Sequence, residues 1–163
     1  MEGFIQFESP IGQITIEKSK NGLARVDIKA GDQKSHIDTS DELLLSARLQ
    51  VLEYLAGKRR AFDLPLDWSE MTVFQADVLR LTLAIEYGEV RAYGELANAL
   101  GKPAASRAVG GALARNPLPL FIPCHRVVAS SGALTGYSAT GGIATKARLL
   151  ELEGHRVVGQ KLG

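Results

Sequence analysis

The sequence predicts an α+β chain: a small N-terminal antiparallel sheet with one covering helix, followed by a mostly helical C-terminal part containing a helix-turn-helix. Three observations predict it. The first 30 residues alternate apolar and polar; beyond residue 40 apolar residues recur instead at intervals of three or four; and Gly and Pro punctuate the chain where the period changes. The strands come first. "GFIQFE", "GQITIE" and "GLARVDIK" are separated by Ser9-Pro10 and by Asn21-Gly22, a dipeptide that favours a tight hairpin. Thr39, with Glu42 three residues on, has the form of a capping box, and it opens a helix through "LLLSARLQVLEYLAG" that Gly57 stops. Pro65 argues against helix in "KRRAFDLPLDW", which reads as a connector with an extended portion. The domain boundary falls near Trp68, giving domains 1–68 and 69–163.

Beyond the boundary, Phe74, Val78, Leu81 and Ile85 describe a helix ending near Gly88. "YGELANALG" is a short helix closed by Gly101, and "KPAASRAVGGALARN" restarts with Pro103 in the first turn and stops at Asn116-Pro117. Two short helices joined by a tight turn make a helix-turn-helix, with the second helix as the reader. That helix carries little side-chain bulk from Ala108 through Val109, Gly110 and Gly111 to Ala112. Two glycines weaken a helix by roughly 1 kcal/mol each relative to alanine, so a closely approaching surface must compensate. A neighbouring helix and a nucleic-acid groove both satisfy that need. Arg107 and Arg115 at its flanks favour the groove.

At 163 residues and 45% hydrophobic content, the chain can bury one good core or two small ones without disulfides or metals. No apolar run reaches the roughly 20 residues that cross a bilayer, and Met1 to Pro10 lacks the form of a signal peptide, so a cytoplasmic protein is expected, nucleoid-associated when on DNA. One cysteine makes no internal disulfide. His36, His125 and His155 have no metal spacing, so neither metal nor cofactor is expected. From Arg91 onward there are nine Lys/Arg and three Asp/Glu, a balance of +6, against −5 for the rest. A basic module on an acidic protein fits a polyanion partner, and equally a solvated face.

The single thiol lies in "IPCHRVV". A lone cysteine is commonly a small buried hydrophobe. Here Pro123 stiffens the chain before Cys124, while His125 and Arg126 supply polar and positive groups able to favour the thiolate. In an extended segment Cys124 and His125 point to opposite sides, so a bridging water would complete the proton path. Glu153, at the end of the amphipathic helix "IATKARLLELEG", is the candidate carboxylate to orient the imidazole.

The stretch "YGELANALG…SRAVGGALARNPLPLFIPCHRVVASSGALTGYS…KARLLELEG" closely resembles the O6-alkylguanine-DNA alkyltransferase family, over about residues 74 to 154. The resemblance implies direct-reversal repair of double-stranded DNA. Cys124 takes the alkyl group of O6-alkylguanine, with O4-alkylthymine as a second lesion, and keeps it as a thioether in a single turnover. It also implies a relay of His125, a water and Glu153, with Asn116 orienting the thiol and Tyr93 donating to the base ring as charge develops on departing guanine. The base must leave the stack to reach the sulfur. Arg107 then fills the vacated place, and Ala108, Gly110 and Gly111, with Arg115 beside them, enter the minor groove, where readout is degenerate. Tyr137 and Ser138 resemble the pocket wall, and Lys146 closes its loop.

Two departures from the family pattern stand out. Ala139-Thr140 intervene before Gly141-Gly142, where the glycines usually follow Ser138 directly, which leaves pocket width open; and "EMTVFQ" replaces a usual Gly-Thr-Pro before Phe-Gln. A monomer without a membrane partner is expected. The rival readings are a non-catalytic alkylated-DNA sensor of the same fold, a cysteine hydrolase and a DNA-binding regulator.

Overall fold

The computed structural model describes residues 2–31, 35–137, 139 and 141–163. Two compact units emerge, Met1–Glu70 and Met71–Gly163. No helix among the described residues is long and apolar enough to cross a membrane.

In the first unit, β1 (Gly3–Ser9), β2 (Gly12–Ser19) and β3 (Gly22–Lys29) form an antiparallel sheet in that order. Alternation puts Ile5, Phe7, Ile14, Ile16, Val26 and Ile28 on one buried face. Leu23 joins them out of phase, because the register shifts beside Glu17 and Lys18 and the extra residue of a bulge turns it inward. Helix α1 (Glu42–Leu55) covers this face with Leu44, Ala47, Val51 and Tyr54.

The start of α1 differs from the Thr39–Glu42 capping box. Asp41 is the N-cap, its Oδ1 accepting from the Leu44 amide at 3.0 Å while Oδ2 pairs with Lys18. A carboxylate that caps the helix and binds a cation outcompetes a threonine two residues earlier. Gly57, at φ 76°, ends the helix as expected. The connector is extended where Pro65 required it: the Leu23 amide donates to Pro65 O and the Asp67 amide to Leu23 O. A Cβ on Gly22 would lie 2.7 Å from that Pro65 oxygen, so only glycine lets the two backbones approach.

In the second unit, α2 (Val73–Leu83) is capped by Thr72, whose Oγ1 accepts from the Gln75 amide at 3.1 Å. It ends five residues before Gly88; Ile85 is buried but belongs to the turn that follows. The strand β4 (Arg91–Ala92) leads directly into α3 (Tyr93–Ala99), closed by Gly101 at φ 71°. The next helix, α4, spans Ser106–Ala114. Pro103 lies ahead of it, in a tight turn that the Ala105 amide closes on Lys102 O, and not in its first turn as the sequence suggested. The helices α2, α3 and α4 pack on one another.

A 3₁₀ turn at Cys124–Arg126 feeds β5 (Val127–Val128), which pairs in parallel with β4. Helix α5 (Gly142–Leu152) follows, and the hairpin β6 (Val157–Val158) and β7 (Lys161–Leu162) closes the chain. These two-residue strands were not anticipated. Val128, Leu134 and Leu150 form a buried cluster, against which Val157 and Leu162 of the hairpin pack.

Candidate active site

The segment from Asn116 to Cys124 folds by satisfying its own backbone. The Asn116 amide group donates to Ile122 O at 3.0 Å, and its Oδ1 accepts from the Leu118 amide at 3.0 Å. Leu118, Leu120 and Ile122 are buried, Leu120 in the left-handed region at φ 78°, a conformation costing a leucine about 1–2 kcal/mol that this packing must offset. The Cys124 amide also donates to Ile122 O, at 2.7 Å. Asn116 therefore ties the end of α4 to the residue two before the thiol.

Cys124 is only 5% exposed, yet it lines an open-mouthed pocket of about 280 Å³, counting the mouth. Tyr93, Gly110, Thr135 to Tyr137 and Lys146 line it with the thiol. Gly110 faces inward, since a Cβ there would stand 4.0 Å from the Tyr93 ring. Gly111 lies under the Arg115 guanidinium, 3.6 Å from where its Cβ would be, so the two glycines serve different neighbours. Arg107 and Ala108 are exposed on α4, as is Arg115. Ser138 lies outside the described residues, as does Thr140 of the inserted pair; Ala139 is buried.

Behind the thiol, the 3₁₀ turn directs the next two side chains inward. His125 is fully buried, and its Nε2 lies 2.8 Å from Glu153 Oε2. Arg126 does not serve the sulfur as the sequence suggested. Its Nε and one terminal nitrogen donate to the two Glu153 oxygens at 2.8 and 2.9 Å, and the other terminal nitrogen donates to Ile85 O at 2.6 Å. The guanidinium fork suits that bidentate geometry. Burial pushes the His125 imidazole down from its ordinary range, further aided by the Arg126 and Lys146 charges and only partly opposed by Glu153. The ring is held neutral, able to accept a proton.

Two more groups face the pocket. Burial raises the Tyr93 phenol, with Cys124 adding to the rise and a Thr135 hydrogen bond opposing it, so the group remains a protonated donor. Lys146 is 1% exposed, donates to Val127 O at 2.6 Å, and lies 5.8 Å from the Tyr93 ring centre. Burial lowers its ammonium to about 8, against a raising influence from Cys124. Because that value lies below the unfolded one, the unfolded chain binds more protons between about pH 8 and 10.5, and stability rises with pH across this window. Urea denaturation of the native chain and of Lys146→Met should show their stability difference moving in the native chain's favour by roughly 3 kcal/mol over that window. A difference independent of pH would contradict the buried ammonium.

Sequence reasoning missed Thr135 and the true partner of Arg126. An arginine next to a nucleophile signals charge, but only the turn reveals where its fork points.

Residues 73–155 match the family model for the 6-O-methylguanine DNA methyltransferase, DNA binding domain, and residues 3–68 that for its ribonuclease-like domain. The chain is 43% identical over 152 residues to the methylated-DNA--protein-cysteine methyltransferase of Methanosarcina acetivorans, covering 91% of this chain and 96% of the relative. It is 38% identical over 162 residues to the constitutive protein of that name from Bacillus subtilis, covering 94% and 96%. Among solved structures, Mycobacterium tuberculosis OGT in complex with DNA superposes with a TM-score of 0.80 at 41% identity, covering 91% of this chain and 90% of that one.

Proposed function

The chain belongs to the 6-O-methylguanine DNA methyltransferase family, and from that premise we propose that Cys124 removes the alkyl group from O6-alkylguanine in duplex DNA, irreversibly and once per molecule. The observation that carries this reading is the pocket itself. It brings the thiol, the Tyr93 phenol and Gly110 of the reader helix to one place, with the His125–Glu153 pair directly behind.

The sulfur attacks the carbon on guanine O6; the S–C bond forms as the C–O6 bond breaks. Glu153 accepts the hydrogen on His125 Nε2, which leaves Nδ1 as the nitrogen that takes the thiol proton through a bridging water. The departing guanine gains one proton, so alkyl and hydrogen exchange places between base and protein. Tyr93 donates to the base ring as negative charge grows there, and the Lys146 ammonium favours the thiolate. Asn116 fixes the turn that aims the sulfur. A thioether offers no leaving group that water could displace, so the site is consumed.

DNA engagement follows from the exposed residues of α4. The target base leaves the stack to enter the pocket, Arg107 takes its place, and Ala108 with its small neighbours lies along the minor groove, Arg115 neutralising phosphate. O4-alkylthymine presents the same alkyl ether and is a second substrate. The protein acts as a monomer in the cytoplasm, on the chromosome.

Intact-mass analysis after mixing with an excess of duplex bearing one O6-methylguanine tests this. One methyl group per protein is expected, mapped by peptide sequencing to Cys124, with the reaction stopping at stoichiometry. Continued turnover, or methyl on another residue, would reject the proposal.

A further inference from the structure

The Tyr93 hydroxyl has both its hydrogen-bonding capacities engaged by one residue. It donates to Thr135 O at 2.9 Å, and its oxygen accepts from Thr135 Oγ1, also at 2.9 Å. Both residues line the pocket that holds Cys124. Thr135 is exposed but firmly placed. The preceding Leu134 is buried at 3%, its amide donates to Gln160 O, and Ala133 bridges to Lys161. The C-terminal hairpin thus anchors the segment that meets Tyr93.

We propose that Thr135 is a positioning residue for alkyl transfer: its hydroxyl fixes and polarises the Tyr93 hydroxyl, while its carbonyl holds the phenolic hydrogen until the base arrives. This deepens the function proposed above and rests on it. A phenol oxygen carries one hydrogen, so Tyr93 cannot donate to Thr135 O and to a purine ring at once. Rotation about the bond from the ring to Oη moves that hydrogen alone, without displacing the tyrosine. The bond from Thr135 Oγ1 survives the rotation. It then points into an oxygen that is giving its own hydrogen to the base, and a donor that also accepts is a stronger donor. The chain Thr135 to Tyr93 to base tightens as charge develops on the leaving guanine, so its effect appears in the transfer step and not in DNA affinity.

The test is a double-mutant cycle on the single-turnover rate with saturating O6-methylguanine duplex, with DNA affinity measured in parallel. Thr135→Val keeps the shape and the carbonyl but removes the hydroxyl. It should slow transfer about threefold to tenfold, the worth of one hydrogen bond, and leave affinity within twofold. Thr135→Ser should restore the rate. In a Tyr93→Phe background the valine substitution should change the rate by less than about twofold, because the hydroxyl it polarises is gone. Equal slowing by valine in both backgrounds, failure of serine to rescue, or an effect on affinity alone would overturn the role of Thr135. In each of those cases Cys124 would still be methylated. If the native chain leaves Cys124 unmodified, the parent reading fails first, and this one with it.

Discussion

Cys124→Ser is expected to lose alkyl transfer by on the order of 10³-fold or more while folding and binding DNA as the native chain does. The reason is the mismatch between an alcohol and the base behind it. A thiol ionises within reach of an imidazole, whereas a serine hydroxyl requires a far stronger base, and burial has lowered the basicity of His125. Sulfur is also the better nucleophile toward a saturated carbon. Oxygen at this position keeps the steric form, since it is smaller, and the pocket wall of Tyr93, Gly110 and Lys146 is untouched. The exposed residues of α4 proposed to meet DNA are unchanged too. The check pairs a time course of intact mass with fluorescence anisotropy on labelled duplex. Transfer within tenfold of native would mean that the reaction does not need the thiol of Cys124; lost binding would mean the thiol holds the fold.

Among the described residues, the sheet and the five helices were legible in the sequence, some by their own period and the short α3 and α4 by the Gly and Pro residues at their ends. Ile14 and Ile16 in β2, and Val26 and Ile28 in β3, mark one face at intervals of two; Leu44, Ala47, Val51 and Tyr54 mark a helix face. Element ends were less legible, because competition decides them. Asp41 takes the cap in place of Thr39, and Lys18 of β2, distant in sequence, joins it there. Pro103 falls outside α4 because the chain closes a turn on Lys102 first. The strands β4 to β7, two residues each, have no period to read: β4 and β5 exist only by pairing across the chain from residue 92 to residue 127, and β6 and β7 only as the two sides of one short hairpin.

The same division runs through the site. Cys124, His125 and Glu153 were readable as chemical types, and the structure joins the last two directly. The extended geometry expected for "PCHR" was wrong, and with it the orientation of Arg126; a 3₁₀ turn sends consecutive side chains about 120° apart instead of to opposite sides. Thr135 drew no notice because a polar residue in a glycine-rich loop is ordinary until its partner is known. Gly110 and Gly111, read together as a groove-facing pair, separate into a pocket wall and a seat for Arg115.

Arg126→Met should destabilise the fold by about 3–5 kcal/mol, the cost of leaving a buried carboxylate without its cation. Glu153 is 6% exposed and accepts from Arg126 on both oxygens, from His125 on one, and from the Gly88 amide at 3.4 Å on the other. Remove the guanidinium and the remaining partners cannot balance a full negative charge in a nearly dry site. Either the carboxyl takes up a proton or the region opens to water. Ile85 O loses its donor at the same time. Lysine cannot substitute, because one ammonium cannot span two carboxylate oxygens and a carbonyl with the fork's geometry.

The arginine also links three segments: the turn after α2 through Ile85, the Cys124–Arg126 turn, and the end of α5 through Glu153. Loosening it displaces His125 relative to the thiol, so transfer slows even in molecules that remain folded. Urea denaturation with single-turnover kinetics on the same preparations measures both losses. Glu153→Gln alone should be damaging for the converse reason, an unpaired buried guanidinium, but the Arg126→Met/Glu153→Gln pair should cost clearly less stability than the two singles summed. Strict additivity would mean the charges do not compensate one another. Rescue of stability without rescue of rate would separate the two duties proposed for the carboxylate: neutralising Arg126 to hold the fold, and orienting His125 toward the sulfur.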